Sequence, residues 1–559
     1  MYTTLNKASF TSVNTNRLAR PVVAWVNEAQ FSEQVAIEHV YCVRQDYEPA
    51  EAYVADEREL YADRYGGNGV GSAGGSGRCA TLGNIQVKGV GRTPLVTPDA
   101  DPYHTSGTVM LREAAREAIF SKVFESFLPY GVVQPLAIVL TGGMFSYDVS
   151  GTNQLHQRAL LLREFALRPA HYLRNVYHKT EATPDDGGFS RDTTRTRLAI
   201  NMLDKGFKEV FGTAVAGTAG IECINFGLKI MAHRIAAQLA ASFAKRIFQT
   251  SLNCSNIALD GRFIDFGVTT FVEGYKKRAW AQKWLDQWSQ HTAVLRTLHL
   301  LRFAVQKYWH EPTGNLIAEA ELIAEFTKAH QTRMEIEMIK MTGAPEVLVM
   351  LYPVESRQHL FRCLHTIYTR GADEAFIIWP ATLETQSNPA PEKTGCFDLS
   401  AILTFAATCK TDDELERVVA AHLNDAVLRR EFINCYKDLR HFVLTHADQH
   451  REAAERYWAM QGIRINADLS CLKYELLDEQ LMKFNTQPEG LGDFINTTIN
   501  AGRYILQADH PDIAGQGFAE QIKALSESSE HWHNIVLNSA TKIEAPDAIV
   551  NRLKAGFAS

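Results

Sequence analysis

The residues whose types and spacing could do chemistry lie between Asn253 and Gly267, in the run NCSNIALDGRFIDFG. Two short apolar runs, Ile257–Leu259 and Arg262–Ile264, flank Asp260-Gly261. An Asp-Gly pair between such runs predicts a β-hairpin with both turn residues at φ > 0. Closing that hairpin brings Asn256 and Asp265 together, although nine positions separate them in the chain. An amide oxygen and a carboxylate are hard donors, suited to a Mg2+ ion that phosphates also hold. The same residues read alternatively as an ordinary hairpin with polar ends.

A phosphate-bearing ligand asks for more than a metal. Residues 65–78, YGGNGVGSAGGSGR, hold seven glycines in fourteen positions. Such composition suits a flexible linker. Strand-like runs follow at once, however: Cys79–Leu82 and Ile85–Lys88, about a Gly83-Asn84 turn. A glycine-rich segment feeding a hairpin can bare backbone N–H groups around phosphate oxygens, where side chains would block the approach. Gly75, Ser76 and Gly77 are the candidate cradle, and Arg78 adds a forked donor. Lys88 closes the second strand. A helix predicted over Val109–Phe127 carries Met110, Ala114, Ala118 and Val123 on one face, with Glu113, Arg116 and Glu117 as its polar candidates. A strand lysine held by a helix glutamate aims its ammonium at the α- and β-phosphates of a nucleotide. Taken singly, Lys88 also reads as a solvated strand end and Glu117 as a surface helix charge.

These groups must be positioned by a sizeable protein. At 559 residues the chain has room for two to four domains. A hydrophobic content of 46% and a charged content of 22% are those of a soluble globular protein. A net charge of −7 leaves no basic footprint for nucleic acid. No apolar run reaches the roughly 18 residues of a membrane span, and MYTTLNKASFTSVN lacks the apolar stretch of a signal peptide. The nine cysteines show no C-x-x-C and no zinc spacing. Reduced thiols in a cytoplasmic protein are the expectation.

Along the chain, Pro21–Val26 predicts a strand and Ala50–Tyr61 a short acidic helix. Leu136–Leu140 is an apolar strand followed by Gly142-Gly143. Residues 176–219, with Asp185-Asp186-Gly187-Gly188, read as an exposed loop open to substrate. Leu228, Met231, Ile235, Leu239, Phe243 and Ile247 recur at helical spacing, marking a long helix that delivers the Asn253–Gly267 stretch. Val347–Tyr352 suggests a late strand. Pro353 then opens a helix with Leu360, Cys363, Leu364, Ile367 and Tyr368 on one face, closed by Gly371. Ser387–Gly395 is the best linker. Thr411–Glu414 is a capping-box start, and helices dominate from there on. His441, His446 and His450, and His531 with His533, read as surface or capped core histidines rather than zinc ligands.

The order of these features resembles that of a protein kinase: glycine-rich loop, strand lysine, helix glutamate, apolar strand, long helix, Asn, then D-F-G. The segments RYGGNGVG, GGSGRCATLG, VKGVGRTP and LREAAREA further resemble the selenoprotein O family, kinase-like proteins that transfer AMP from ATP. That family's motifs run roughly Y-x-G-H-Q-F-G, G-D-G-R-A, L-K-G-x-G-x-T-P and L-R-S-x-I-R-E, and its N-T-D-N…D-Y-G has the spacing seen here. The likeness covers roughly residues 60–275. It implies an α+β, protein-kinase-like bilobal fold with ATP and Mg2+ as cofactors. The expected division is an N-terminal segment over 1–60, a small β-rich N-lobe over 61–150, a C-lobe over 151–386 and a helical region over 396–559. Lys88 would orient the phosphates and Glu117 would pair with it. Asn256 and Asp265 would hold the metal. The family also places two arginines on the nucleotide's phosphates, in a stretch like R-x-A-P-S-x-x-R. REFALRPAHYLR, at 163–174, is the nearest segment. Arg168 and Arg174 are the matching residues, six apart where the family has seven.

Departures from the pattern redirect the expected reaction. Ser255 stands where the family has its catalytic-loop Asp, and a serine is no base near neutral pH. Ser76 replaces the G-D-G-R aspartate, Asn68 replaces a loop histidine, and the AGFAS ending has no redox cysteine. An acceptor that is already an anion needs no base. A peptide α-carboxylate, with pKa about 3.3–3.7, is such an acceptor. Its attack on the α- or γ-phosphorus would yield an acyl-adenylate or acyl-phosphate. GGSGRCATLG…VKGVGRTPLV, with Ser in the glycine loop, is similar to the MchC/MceJ-type microcin maturation family. That likeness implies work with an acyltransferase-like partner to join a glucosylated catecholate siderophore to a microcin precursor's C-terminus. Protein AMP transfer and a catalytically silent, pseudokinase-like scaffold are the alternatives.

Overall fold

The computed structural model of the chain describes residues 4–45, 48–67, 70–71, 73–96, 102–149, 152–175, 188–249, 251–271, 278–377, 399–446, 451–466 and 472–506. Eight strands form one antiparallel sheet: β1 (Phe10–Leu18), β2 (Val22–Val26), β3 (Tyr41–Cys42), β4 (Tyr53–Asp63), β5 (Cys79–Leu82), β6 (Ile85–Lys88), β7 (Pro135–Val149) and β8 (Thr152–Glu164). Their order is β2-β7-β8-β6-β5-β4-β1-β3. Side chains alternate between the two faces of a strand, and both faces are buried at the centre of this sheet. Ala137, Val139, Leu160 and Leu162 face one core, together with Val87 of β6 and Ala36 of helix α1 (Glu33–Ile37). Ile138, Leu140, Ala159 and Leu161 face the other. There, after the short α2 (Pro102–Thr105), helix α3 (Leu111–Glu125) packs. From Glu113 to Phe124 every residue of α3 is buried, so it has no solvent face of the kind its sequence suggests.

Residues 1–60 supply β1–β3 and most of β4, and so belong to this same sheet. The acidic run Ala50–Tyr61 is not a helix. One 3-10 turn at Ala50–Ala52 leads into β4, which pairs with β1 from Phe10↔Asp63 to Asn16↔Glu57. Much of β4 is solvent-exposed, so its acidic residues cost little there, and pairing with β1 overrides their weak strand preference.

Helices form most of the remainder: α4 (Gly188–Ile200), α5 (Leu203–Phe211), α6 (Gly220–Ala244), α7 (Arg278–Tyr308), α8 (Glu319–Lys340), α9 (Glu346–Leu351) and α10 (Val354–Ile377). Leu228, Met231, Ile235, Leu239 and Phe243 are buried along α6 as their spacing predicts, but Ile247 lies beyond it in β9 (Ile247–Phe248). β9 pairs with β10 (Thr270–Phe271), and this ribbon brackets the segment carrying Asn256 and Asp265. Residues 188–215 are α4, α5 and a 3-10 turn rather than an exposed loop; Asp185-Asp186-Gly187 lies outside the described residues. Val347–Tyr352 is no strand. Pro345 and Glu346 start the short helix α9, which buries the adjacent Leu348 and Val349; a short apolar run does not distinguish strand from helix by periodicity. α10 buries its five predicted residues but runs past Gly371 to Ile377, an interior glycine that a helix tolerates.

The later helices divide between two cores. Leu399–Thr408, Asp412–His422, Ala426–Thr445 and Arg451–Ile465 pack with α8–α10 through Leu364, Leu403, Phe432 and Trp458. Thr411 and Glu414 form the predicted capping box. Tyr474–Lys483 and Leu491–Leu506 instead return to α3. Trp25 Nε1 donates to Asn496 Oδ1 at 2.8 Å, and Arg503 Nε to the Lys122 carbonyl at 2.9 Å. The linker at 387–395, His450, His531, His533 and the AGFAS ending lie outside the described residues. The seven described cysteines are buried thiols. Among the described residues, no helix is long and apolar enough to cross a membrane.

Where α5 crosses α6, a Cβ on Gly227 would lie 2.3 Å from the ring of Phe207, which is fully buried. Helix propensity alone would make Gly227→Ala stabilising. Overpacking should reverse the sign, costing about 1–3 kcal/mol. Urea unfolding of the two proteins reads which effect wins.

Candidate active site

Strand parity decides where Lys88 points. Val87 enters the outer core, so Gln86 and Lys88 face α3. Glu113 and Glu117, four apart on α3, share one helix face. Lys88 is 1% exposed, and its ammonium meets the carboxylates of α3. It lies 2.6 Å from Glu117 Oε2, 2.9 Å from Asp265 Oδ1 and 3.2 Å from Glu113 Oε1. Glu117 and Asp265 accept hydrogen bonds from the ammonium, and Glu113 adds a third negative charge beside it. The three carboxylates come within 4.8 Å of one another, close enough for a metal cage, but the ammonium fills the centre. Two further cations complete the group. Arg78 Nη2 reaches Glu113 Oε1 at 2.8 Å, and Arg163 pairs with Glu117 Oε1. Three positive charges balance three negative ones.

The pKa shifts follow from that balance. Burial works against the Lys88 charge, but Asp265, Glu117 and Glu113 outweigh it and hold the ammonium above its usual range. Burial would raise Asp265; Lys88, then Arg163 and Arg78, bring it down to about 2. Glu113, also opposed by burial, is held well below the carboxylate range by Arg78 and Lys88.

Asp265 takes φ +69°, one of two non-glycine positive values among the described residues. The tripeptide around it is clamped onto α3. The Phe266 ring meets Phe124 edge-on at 5.1 Å, and Arg116 Nε donates to the Gly267 carbonyl at 3.1 Å. Gly267 comes so near α3 that a Cβ there would lie 3.1 Å from Glu113 Cγ. The predicted hairpin forms, with a different turn. Ala258 N–H donates to the Arg262 carbonyl and Ile264 N–H to the Asn256 carbonyl, at 2.8 and 3.1 Å. Only Gly261 has positive φ, at +89°, and its N–H returns to the Ala258 carbonyl. This fits a three-residue loop closed by a glycine bulge, not the two-residue turn expected. Asp260 stays out of the left-handed region, and its carboxylate accepts from Arg262 N–H at 3.0 Å.

Through the Ile264–Asn256 bond the hairpin sets Asn256 beside Asp265 in the backbone. Asn256 Nδ2 is spent on the Ser251 carbonyl and Oγ, at 2.7 and 3.1 Å. Its Oδ1 has no hydrogen-bond partner among the described residues. The Asp265 side chain is 32% exposed, and only its Oδ1 meets Lys88. These two hard oxygens are the donors available to a divalent cation. Ser255 Oγ donates to Asn253 Oδ1 at 2.7 Å, and no carboxylate stands at its position.

The glycine-rich segment is used differently from the expectation. A Cβ on Gly75 would lie 2.5 Å from Leu95 Cδ1 and 2.6 Å from the Asp63 carbonyl, and one on Gly77 would lie 3.1 Å from Val96 Cα. These glycines let two chain segments approach. Ser76 is buried and its N–H already donates to the Asp63 carbonyl at 3.0 Å, so it is not bare for a phosphate. Arg78 is turned toward α3, its guanidinium 5.3 Å from the Tyr103 ring centre.

The two carried-over arginines are not equivalent. Arg168 pairs with the fully buried Asp63, donates to the Ser255 carbonyl at 3.1 Å and stacks over Tyr65 at 4.5 Å. His171 Nδ1 accepts from Arg168 N–H, so Nε2 carries the proton it shares with Asp63 at 3.0 Å. Burial, assisted by Arg168, pushes His171 down to about 4. Arg174 lies past the 3-10 turn Pro169–Tyr172, with its carbonyl accepting from Gly67 N–H at 3.1 Å. It is Arg163 that joins Lys88. Its signal was strand parity with the inward Leu161 and Ala159, and the signal for Glu113 was its four-residue spacing from Glu117. Asp63 and His171 gave none. Nor did cysteine spacing reveal that His359, Cys363 and Cys435 converge within 4.8 Å. A scan of protein-family models and a search of curated proteins each return no match to this chain.

Lys88→Met would leave Glu117, Glu113 and Asp265 short of one cation and should cost about 3–5 kcal/mol in urea unfolding near neutral pH. The Asp265 carboxyl, lowered to about 2 in the fold, contributes stability that is complete above its unfolded pKa of about 3.9 and is lost as pH falls toward 2. Wild type should therefore lose more stability than Asp265→Asn between those limits, measured by denaturation at each pH.

Proposed function

We propose that this chain is a kinase-like, cytoplasmic enzyme that uses ATP and Mg2+ to activate the C-terminal carboxylate of a microcin precursor. In this reading it works with an acyltransferase-like partner that attaches a glucosylated catecholate siderophore. The supporting observation is the buried Lys88, held by Glu117 of α3 and by Asp265 of the D-F-G tripeptide. A lysine–glutamate pair beside a metal-binding Asp is the arrangement that positions nucleotide phosphates for transfer. Glu117 and Arg163 would hold Lys88 in place. Asn256 and Asp265 would hold Mg2+, which neutralises phosphate charge when bound. Ser255, whose hydroxyl is engaged by Asn253, offers no base. That favours an acceptor ionised in advance, as a carboxylate is, over a hydroxyl of the kind that AMP transfer to protein requires. The scaffold reading draws on one observation of its own: the Lys88 ammonium is already ringed by three carboxylates of the protein.

The test combines the purified chain, its partner, Mg2+ and ATP labelled at both the α and γ positions. Peptide-dependent release of AMP or ADP is expected, abolished by Asp265→Ala and by amidating the peptide C-terminus. The identity of the released nucleotide reads which phosphorus reacts. Label fixed on protein side chains without any peptide would replace this reading with AMP transfer. Nucleotide binding without turnover would leave the scaffold.

A further inference from the structure

A second charged cluster lies outside the Lys88 site. A cavity of about 300 Å3 opens where the ends of several helices meet. Phe127, Leu128 and Pro129, just after α3, and Leu506 form its apolar wall; Lys245, Arg333, Glu337, Lys340 and Glu346 form its charged wall. Four of these charges satisfy one another. Arg333 pairs with Glu337 and, at 2.6 Å, with Glu346. Lys340 reaches Glu346 at 2.6 Å and Glu337 at 3.3 Å. This neutral square leaves Lys245 over. Lys245 caps the C-terminal end of α6 and is 4% exposed, and its Nζ has no hydrogen-bond partner. The Nε of Arg333, on the same wall, is also buried and unpartnered. Buried donors without acceptors are uncommon and call for an explanation. With Lys245 protonated, the charged wall carries one net positive charge and two buried, unpartnered donor groups, the Lys245 ammonium and the Arg333 Nε–H, and the apolar residues line the same cavity.

We propose that this cavity is a second binding site, for a small organic monocarboxylate whose anion takes the unpartnered donors of Lys245 and Arg333 and whose apolar body lies against Phe127, Leu128, Pro129 and Leu506. One negative charge balances the wall, whereas a dianionic phosphate ester would exceed it. The volume is at the lower end of the roughly 300–1,000 Å3 of small-molecule pockets.

The titration of Lys245 supplies a signature. Burial pushes its pKa down to about 7, helped by Lys340 of α8, Arg464 of the Arg451–Ile465 helix and the adjacent Arg246, with Glu337 opposing. Arg333 and Glu346 are the other charged groups of the wall. A carboxylate needs the ammonium form. Affinity should therefore be level below pH 7 and fall about tenfold per unit above it.

The experiment uses the full chain, with benzoate as the probe and inorganic phosphate as the contrasting anion, followed by calorimetry across pH. Saturable benzoate binding with that pH profile is expected, weakened more than about tenfold in Lys245→Met. This variant removes an unpaired buried charge and so should fold at least as well as wild type. Amine acylation mapped by mass spectrometry gives a second reading, in which benzoate should protect Lys245. Phosphate binding in preference to benzoate would overturn the carboxylate assignment. Absence of saturable binding, or binding unchanged by Lys245→Met, would overturn the site.

Discussion

The structure around the candidate site depends on keeping one buried ammonium electrically neutral. An isolated charge is costly away from water, and a buried pair that loses one member leaves the other uncompensated. Lys88 avoids this only if Glu117, Glu113 and Asp265 reach it together. Those carboxylates come from a helix and from a hairpin nearly 150 residues later in the chain (265 − 117 = 148). Their meeting therefore constrains the register of β6 on β8, the rotation of α3 and the position of the D-F-G segment at once. Arg163 extends the constraint by pairing with the second oxygen of Glu117, and Arg78 by sharing Glu113 Oε1 with Lys88. Gln86 and Asp63 carry it to Arg168 and His171.

α3 is where this polar network meets the rest of the molecule. One face holds the carboxylates, and another carries Arg112 and Arg116, both paired with Asp478 of the Tyr474–Lys483 helix. Arg116 also holds the Gly267 carbonyl. One guanidinium thus joins the carboxy-terminal helices to the D-F-G segment, and these helices are part of the frame that sets Asp265. With both faces engaged, α3 has little freedom to turn, which suits a helix that must present two glutamates to one lysine.

The two cationic clusters show opposite solutions to the same cost. Around Lys88 every charge finds its counterpart within the protein, and burial is tolerated. Around Lys245 the neighbouring charges neutralise one another and leave it over. Among the described residues, both non-glycine residues with positive φ, Asp265 and Arg246, lie at these clusters, the second directly following Lys245. Backbone strain of this kind persists only where the surroundings over-determine it.

Much of this was legible in the sequence where the interaction is local or periodic. The β5–β6 hairpin follows from Gly83-Asn84, the buried face of α6 from its 3.6-residue spacing, and the Thr411 cap from Glu414 three positions on. Lys88, Glu117 and Asp265 stood out because their types in that order suit phosphate chemistry, and the fold brings those three together. Tertiary structure alone decided the rest. β4 is a strand because β1 lies beside it, despite an acidic composition that favours a helix. Gly75 is there to let the chain pass Leu95, which no local pattern reveals. Arg163 reaches Glu117 because parity along β8 sets the direction of its side chain, and only once the sheet is paired. The common reason is range. Propensity, capping and periodicity act over a few residues and are written in the chain, whereas charge balance and close approach join residues far beyond that range, 46 apart for Arg163 and Glu117 and 177 apart for Lys88 and Asp265, and exist only after the chain has folded.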